Sequence, residues 1–581
     1  KGRKQKMNKL NNNEALQITT VMPTMKKSLL ALAVAGTMAM SGLVMADVTV
    51  ASNSTTTVTS TDDSGIITGG GTTGHLVLTS SGTTDATHTV ASVTFTGAGN
   101  MTVGAITTAA TTAANVSGAV SLGTGNLVVN NTTTGGADTT ALTITGALTV
   151  GGTTTVTGGV TDNAATSTLT VTGVSTFTGL LTIAGGAGAA GGAAADAAAA
   201  DAVVNLNGAT ITATAGIVLN DSTTEGDAML NLSGIVAQTV TGVITAASDG
   251  EGEILVATTH ASGTTFSNDI GITNTRVKLI TVTLDDGATT ATGVLSDFNG
   301  HVYADTINIT AAGVDDVASA TFAQDVGFTT MALDKDTGQA TVTFDGTTGT
   351  QTVSGNIKGG SSTNDEGLVI FSNDVDYTGM IGTSASTGIG DVRVALNKTL
   401  TLTSAADIDG IYTAGNLDVD SAGGIGGTVT LVGATSTSTT SATAGTTQIS
   451  LIDGTTTLTA LNINGGTGKT STAAGTVGAA GGTSTGTFTG AAAITTLTLA
   501  GGTAGVGVAN NATDTDGGAG GAVTGTFTAA LTATTVGVTG AAGGAGGAGG
   551  ASAAATGSEG GAGGASTLDL NVATGTAQAI T

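Results

Sequence analysis

LTITGALTVGGTTTVTGG (Leu142–Gly159) and LTVTGVSTFTGLLTIAGG (Leu169–Gly186) decide the fold. Each block is three hexads in which apolar residues mostly alternate with Thr, the period-2 pattern of a half-buried strand. Thr and Val branch at Cβ, which restricts χ1 and suits a pleated backbone. Glycine closes each hexad, where it is expected to turn the chain through angles other residues avoid. The blocks lie 27 residues apart: Leu142 to Leu169, Leu148 to Ser175, Thr154 to Leu181. A strand–corner unit returning at that interval, with no helical period, predicts coils that bury their apolar face only by stacking. The expectation is an all-β, elongated parallel β-solenoid, right-handed coiling favoured, with Gly-rich loops. At ~4.8 Å between paired strands, 15 to 20 coils make a rod roughly 70–100 Å long.

Two further series extend the pattern. Phe266, Phe298, Phe322, Val353 and Phe371 each open a Φ-x-x-x-[IV] segment, and an aromatic returning once per coil predicts a core ladder. Toward the C-terminus Leu461-x-Ile463, Leu497-x-Leu499, Val536-x-Val538 and Leu568-x-Leu570 recur, with GTFTG at Gly486 and GTFTA at Gly525 keeping a 39-residue offset. Between these units run Gly/Ala tracts of varying length, expected to be spacer loops. Tracts such as Gly543 to Gly550 lack the Lys-Ser/Thr that a phosphate loop needs. GGAGAAGGAAADAAAADAVV (Gly185–Val204) reads equally as a short helix or a disordered loop, alanine being the best helix former.

Composition excludes several function classes. Charged residues are 9% of the chain, against about 25% in ordinary globular domains. Cysteine and tryptophan are absent, so stability must come from packing rather than disulfides. Residues 25–46 carry a basic start (Met25, Lys26, Lys27), an apolar run from Leu29 to Met40 and a small-residue cleavage site at Val44–Ala46. They read as a secretory signal peptide, which implies a secreted, bacterial cell-surface protein. Residues 1–24 read as upstream translation or an extended n-region. The rest divides by composition into 47–250 (Thr/Gly/Ala repeats), 251–430 (coils with the Phe mark) and 431–581 (repeats with long Gly/Ala tracts). From Asp47 onward 39 acids face 7 bases. Nucleic acid, which demands a basic footprint, is therefore not an expected partner. No transmembrane helix is expected after residue 46.

Chemistry is thinly represented. His75, His88, His260 and His301 are scattered and read as surface or loop residues, although stacking could bring His260 near His301. No catalytic residue is assigned, and the chain is read as a non-enzyme. The acidic clusters are the site candidates: Asp407, Asp409, Asp418 and Asp420 fall within 14 residues, and Asp514 and Asp516 precede a glycine turn. Calcium takes six to eight oxygens from flexible loops, so these six are the candidate calcium ligands, with solvated turn acids as the plainer reading. Thr-x-Thr pairs such as Thr143/Thr145, Thr155/Thr157 and Thr176/Thr178 are expected to point outward and would suit an ice-binding surface only as a flat, regular array.

TTFSNDIG (Thr264–Gly271), DYTGMIG (Asp376–Gly382) and ALNKTLTLTS (Ala395–Ser404), with the signal peptide, resemble bacterial repeat-rich surface proteins. The resemblance is to autotransporter passengers of the rickettsial outer membrane protein B type and to S-layer-like proteins, and covers roughly 251–430. It implies adhesion or a protective coat, with the cell surface, other copies of the chain or host and matrix glycans as partners. An autotransporter would carry a membrane β-barrel beyond residue 581. The alternatives kept open are an S-layer or matrix subunit assembled with calcium, a β-helix polysaccharide lyase or hydrolase, and an ice-binding solenoid.

Overall fold

A computed structural model describes residues 46–58, 64–70, 73–80, 85–105, 110–131, 138–159, 165–186, 201–222, 226–284, 293–311, 316–335, 338–347, 349–360, 366–382, 389–395, 397–403, 408–413, 417–418, 427–432, 446–451, 456–471, 476–508, 516–546, 559–570 and 579–580. Among them every regular element is a β-strand. The strands pair in parallel with the coil before and the coil after, giving one connected set of 37 strands and a second sheet of 8. The chain is an all-β parallel solenoid.

The two blocks that open the sequence are consecutive coils. Leu142 registers with Leu169, Leu148 with Ser175 and Thr154 with Leu181, one pair on each of three faces. The strands are short, Thr140–Ile144, Leu148–Val150 and Thr154–Thr157, and their burial alternates as the sequence does. The expected reason for glycine holds at corners such as Gly216 and Gly242, with φ of 95° and 133°, but not at the corners of these two blocks. Gly146 and Gly173 do not adopt positive φ. A Cβ on Gly173 would instead lie 2.4 Å from the carbonyl oxygen of Gly146 in the coil below. Close backbone approach, not backbone torsion, excludes a side chain there.

Inward residues form continuous columns. One runs Leu142, Leu169, Val204, Leu230, Ile254, Ile280, Ile307, Met331, Ile357, all fully buried or within about 1% of it. Each such side chain contributes about 1.5–3 kcal/mol on burial, available only once its neighbours above and below are in place. The stack continues across residues 250 and 430. What changes along it is coil shape. The 8-stranded sheet ends at Ile244–Ala246. Isolated bridges then carry that face from Ile244 to Ile270 and on to Val302. From there a single 10-residue strand, Val302–Ala311, rounds the corner and pairs along its length with Val326–Lys335.

The aromatic ladder exists with one rung corrected. Phe266, Phe298, Phe322, Phe344 and Phe371 register in turn, with ring centroids 4.9, 4.9, 5.9 and 5.3 Å apart. Val353 is not a rung; it pairs with Val326 and Tyr377. The corner after Phe344 holds six residues before Gln351, the register partner of Val375, where the other marks hold three. That longer corner hides Phe344 from a fixed five-residue pattern. Leu568 and Leu570 are likewise reassigned. They register with Gly525 and Phe527, on the ladder that contains Phe488, rather than continuing the Leu461–Leu497–Val536 column. Within Gly185–Val204, residues 187–200 lie outside the described residues, and Ala202–Leu206 is a strand on Ser167–Val171.

Candidate functional site

The corner acids have a definite task. Asp249 Oδ1 accepts the backbone N–H of Arg276, Asp269 Oδ1 that of His301, Asp325 Oδ1 that of Thr352 and Asp374 Oδ1 that of Thr399, each at 2.8 Å. Asn126 does the same for Thr153 at 2.8 Å. In every case the side chain reaches one coil onward and satisfies a donor that the corner leaves outside the strand ladder. These carboxylates and amides tie coil to coil. The expected calcium ligands are only partly placed. Asp407, Asp420 and Asp514 lie outside the described residues. Asp409 registers with Thr447 and Asp418 with Arg393, as backbone alone. Asp516 is exposed, and its Oδ1 accepts the N–H of Glu559 at 3.1 Å, another inter-coil tie. Among the described residues no three His, Asp or Glu gather in a way that could hold a metal ion.

The densest charge lies elsewhere. Lys278 Nζ sits 2.7 Å from Asp227, 2.9 Å from Glu253 and 3.9 Å from Asp221. Burial works to lower its pKa, but the hydrogen bonds and charges of Asp227 and Glu253 outweigh that and hold it well above the ordinary lysine range. Asp201 joins the cluster from a neighbouring coil. Burial pushes its carboxyl up, while a hydrogen bond from the Asp227 backbone pulls it down. Sequence reading missed this group because its members lie on different coils, at intervals set by loop length. The available signals were a lysine in a stretch without acids and the acidic run Asp249–Glu253 one coil earlier. Chemically, an ammonium held protonated among carboxylates makes a poor base or nucleophile and a good structural clamp.

The histidines do not converge. His88 is 1% exposed and heads the core column above, in register with Ala114, which corrects the surface assignment. Its Nε2 lies 3.1 Å from the Thr79 carbonyl. His75 Nε2 contacts Thr102 Oγ1 at 3.1 Å. His301 lies between Asp269 and Asp325, and His260 caps its own turn through Ser262.

Outward threonines line up on one face. Thr94, Ser121, Thr149, Thr176, Thr212 and Thr241 register coil by coil. Elsewhere the columns are mixed: Thr170 is followed by Asn205 and Asn231, which hydrogen-bond in sequence, and Thr182 by Val218. A second, shorter column runs Thr485, Thr524 and Thr567, with Thr487 beside Thr526, so the Thr-x-Thr pairs give separate columns rather than one continuous two-dimensional array.

The Gly/Ala tracts leave the β-stack between strands, but the described parts are not spacers. Residues 465–471, 501–508 and 540–546 run outward, while 476–482, 516–522 and 559–565 return. Outgoing segments bond to each other every third residue: Gly465 N–H to Ala500 O at 2.8 Å, Gly468 to Thr503 at 2.7 Å, Ser471 to Val506 at 3.0 Å. Returning segments do likewise, as in Gly481 to Ala519 and Gly520 to Ala562, both 2.8 Å. The two layers are cross-linked by Gly502 to Gly482, Gly521 to Gly502, Gly518 to Gly505 and Gly561 to Gly544 at 2.8–3.0 Å. A three-residue bonding period is that of extended polyproline-II-type helices, which satisfy no hydrogen bond internally and so bond sideways. The result is a two-layer glycine slab. A Cβ on Gly521 would lie 1.8 Å from the Gly482 oxygen, so that position admits no side chain. Its signal in the sequence was Gly-x-x-Gly: 465/468, 478/481, 502/505, 518/521 and 561/564.

No protein-family model, curated protein or solved structure matches this chain. Among the described residues no helix is long and apolar enough to cross a membrane.

Proposed function

We propose that this is a secreted cell-surface protein with a structural and adhesive role, passenger-like in build and without catalytic activity. The observation that carries the reading is the hydroxyl column Thr94–Ser121–Thr149–Thr176–Thr212–Thr241. One polar group per coil, on a rigid stack, suits many weak contacts acting together rather than one tight site. The corner acids and Lys278 support it, because their hydrogen bonds and ion pairs hold coils to one another. A solenoid so tied resists unravelling outside the cell without disulfides.

The test has two arms. Antibodies against residues 47–581 are expected to label intact cells of the source organism; label that appears only after permeabilisation overturns surface placement. Beads coated with the same chain are expected to adhere to glycan-bearing cells or matrix. Ordered arrays that assemble with calcium and dissolve with a chelator would instead establish a lattice subunit.

A further inference from the structure

The corner that breaks the aromatic repeat also opens a cleft. Phe344 is followed by six residues rather than three, and the cleft lies between this longer corner and the next one, Ser372–Asp374. The break places a glutamine, Gln351, at a fully buried register position where the next coil has Val375. Gln351 fits because Nε2 donates to the Phe322 carbonyl at 3.0 Å and Oε1 accepts from Gly346 N–H at 3.1 Å. Asn373 ties this corner to the next one, its Nδ2 donating to the carbonyls of Gly346 and Gly349. The same brace occurs at Gln238, whose Nε2 donates to the Leu206 and Gly208 carbonyls and whose Oε1 accepts from Gly234 N–H, so the glutamine secures a long corner and the cleft beside it is what sets this corner apart.

The cleft is about 500 Å3, within the ~300–1,000 Å3 of small-ligand sites. Its groups are the carboxylates of Asp345 and Asp374, the hydroxyls of Thr350 and Ser372, and the ammonium of Lys398. Asp374 Oδ1 accepts the Thr399 N–H, and Lys398 donates to Asn373 Oδ1 at 2.6 Å. The lining is polar, with no aromatic or large aliphatic side chain, so an apolar ligand has nothing to bury against. Lys398 already supplies a cation among the acids, which disfavours a metal ion. What remains are donors and acceptors of both kinds on a concave wall, the complement of a polyhydroxylated ring.

We propose that this cleft binds one neutral sugar residue of a glycan chain. The proposal rests on the adhesive reading and gives it a defined contact. Carboxylates accept from sugar hydroxyls, and Lys398 and the threonine and serine hydroxyls donate to sugar oxygens. The polar floor leaves the ring edge-on rather than stacked.

The experiment is saturation-transfer NMR on the full chain with methyl α-mannoside, methyl β-galactoside and methyl N-acetyl-β-glucosaminide as probes. At least one glycoside is expected to receive magnetisation from the wild type. Lys398→Met and Thr350→Ala are each expected to raise its half-saturation concentration at least tenfold. Thr350 is exposed, so Thr350→Ala decides the matter should Lys398→Met fail to fold. No transfer to any of the three probes overturns the proposal, and so does transfer unaffected by the variants. Bead adhesion separates the two readings. A wild type that adheres yet binds no glycoside sinks the cleft alone, whereas one that binds a glycoside yet never adheres sinks the adhesive reading alone.

Discussion

The coils at 140–184 and the slab at 465–565 solve one problem with opposite materials. Both add one unit per coil and both satisfy their backbone by bonding to neighbouring coils. In the first, strands present alternating side chains, and Leu142, Leu169 and their column neighbours close the interior. In the second the interior is mostly bare backbone, with Ala479 and Ser471 among its few buried side chains, because glycines such as Gly502 and Gly521 face carbonyls of the next layer. Apolar burial therefore stabilises the coils directly. The slab has only hydrogen bonds, each worth about 0.5–1.5 kcal/mol net, set against the large entropy glycine loses on ordering. Its segments hold because strands such as Thr456–Asn464 and Ser484–Phe488 anchor both ends. The slab is the dependent region, the coils the independent one.

The sharpest way to break this contrast is Gly521→Ala. A Cβ 1.8 Å from a backbone oxygen cannot be relieved by side-chain movement, so the change is expected to cost more than about 4 kcal/mol locally. Hydrogen exchange is the measurement: protection should vanish across 501–508, 516–522 and 540–546 and persist in the strands of 140–184. Gly537→Ala, with nothing nearer than 3.9 Å, serves as the control and should leave protection intact. Equal loss in both regions would mean the slab and the coils form a single cooperative unit.

Next in size is Phe322→Ala. It removes a fully buried rung between Phe298 and Phe344 and is expected to cost ~3–5 kcal/mol, read as a fall in the unfolding midpoint. The slab should then loosen only as far as the coils beneath it do.

Lys278→Met leaves Asp221, Asp227 and Glu253 without their common cation. The lysine is half-exposed, so the loss is expected to be about 1–2 kcal/mol. The sign with pH follows from its raised pKa. The folded state holds the proton more tightly than the unfolded state, so the stabilisation is complete below ~10.4 and disappears as pH climbs through the higher folded value. Wild type and variant should converge in strongly alkaline buffer; a gap that stays constant would remove the electrostatic explanation.

The smallest effect belongs to Thr149→Val. Its outward hydroxyl sits in the Thr column, and stability should change by no more than about 0.5 kcal/mol. Bead adhesion, in contrast, should weaken if the column makes the contacts proposed for it.

Legibility in the sequence followed the range of the interaction. The hexads around Leu142 and Leu169 disclosed coil length, strand phase and register, since a period of two is local and the 27-residue offset was unbroken. Phe344 was hidden by three additional corner residues, and Leu568 by loops of unequal length. The candidate carboxylates were visible as clusters along the chain, yet the ones the structure ties down, such as Asp249 to Arg276, are defined by the coil above. The slab was half-legible, because its Gly-x-x-Gly spacing is local but its partners are not.

Sequence alone determined which residues face inward and how often the chain returns, because alternation and glycine spacing act over a few residues. Tertiary structure alone decided which acid caps which backbone amide, which carboxylates surround Lys278 and how the glycine tracts bond. Those partners lie a coil or more apart, and the lengths of the intervening corners, which follow no fixed period, set who meets whom.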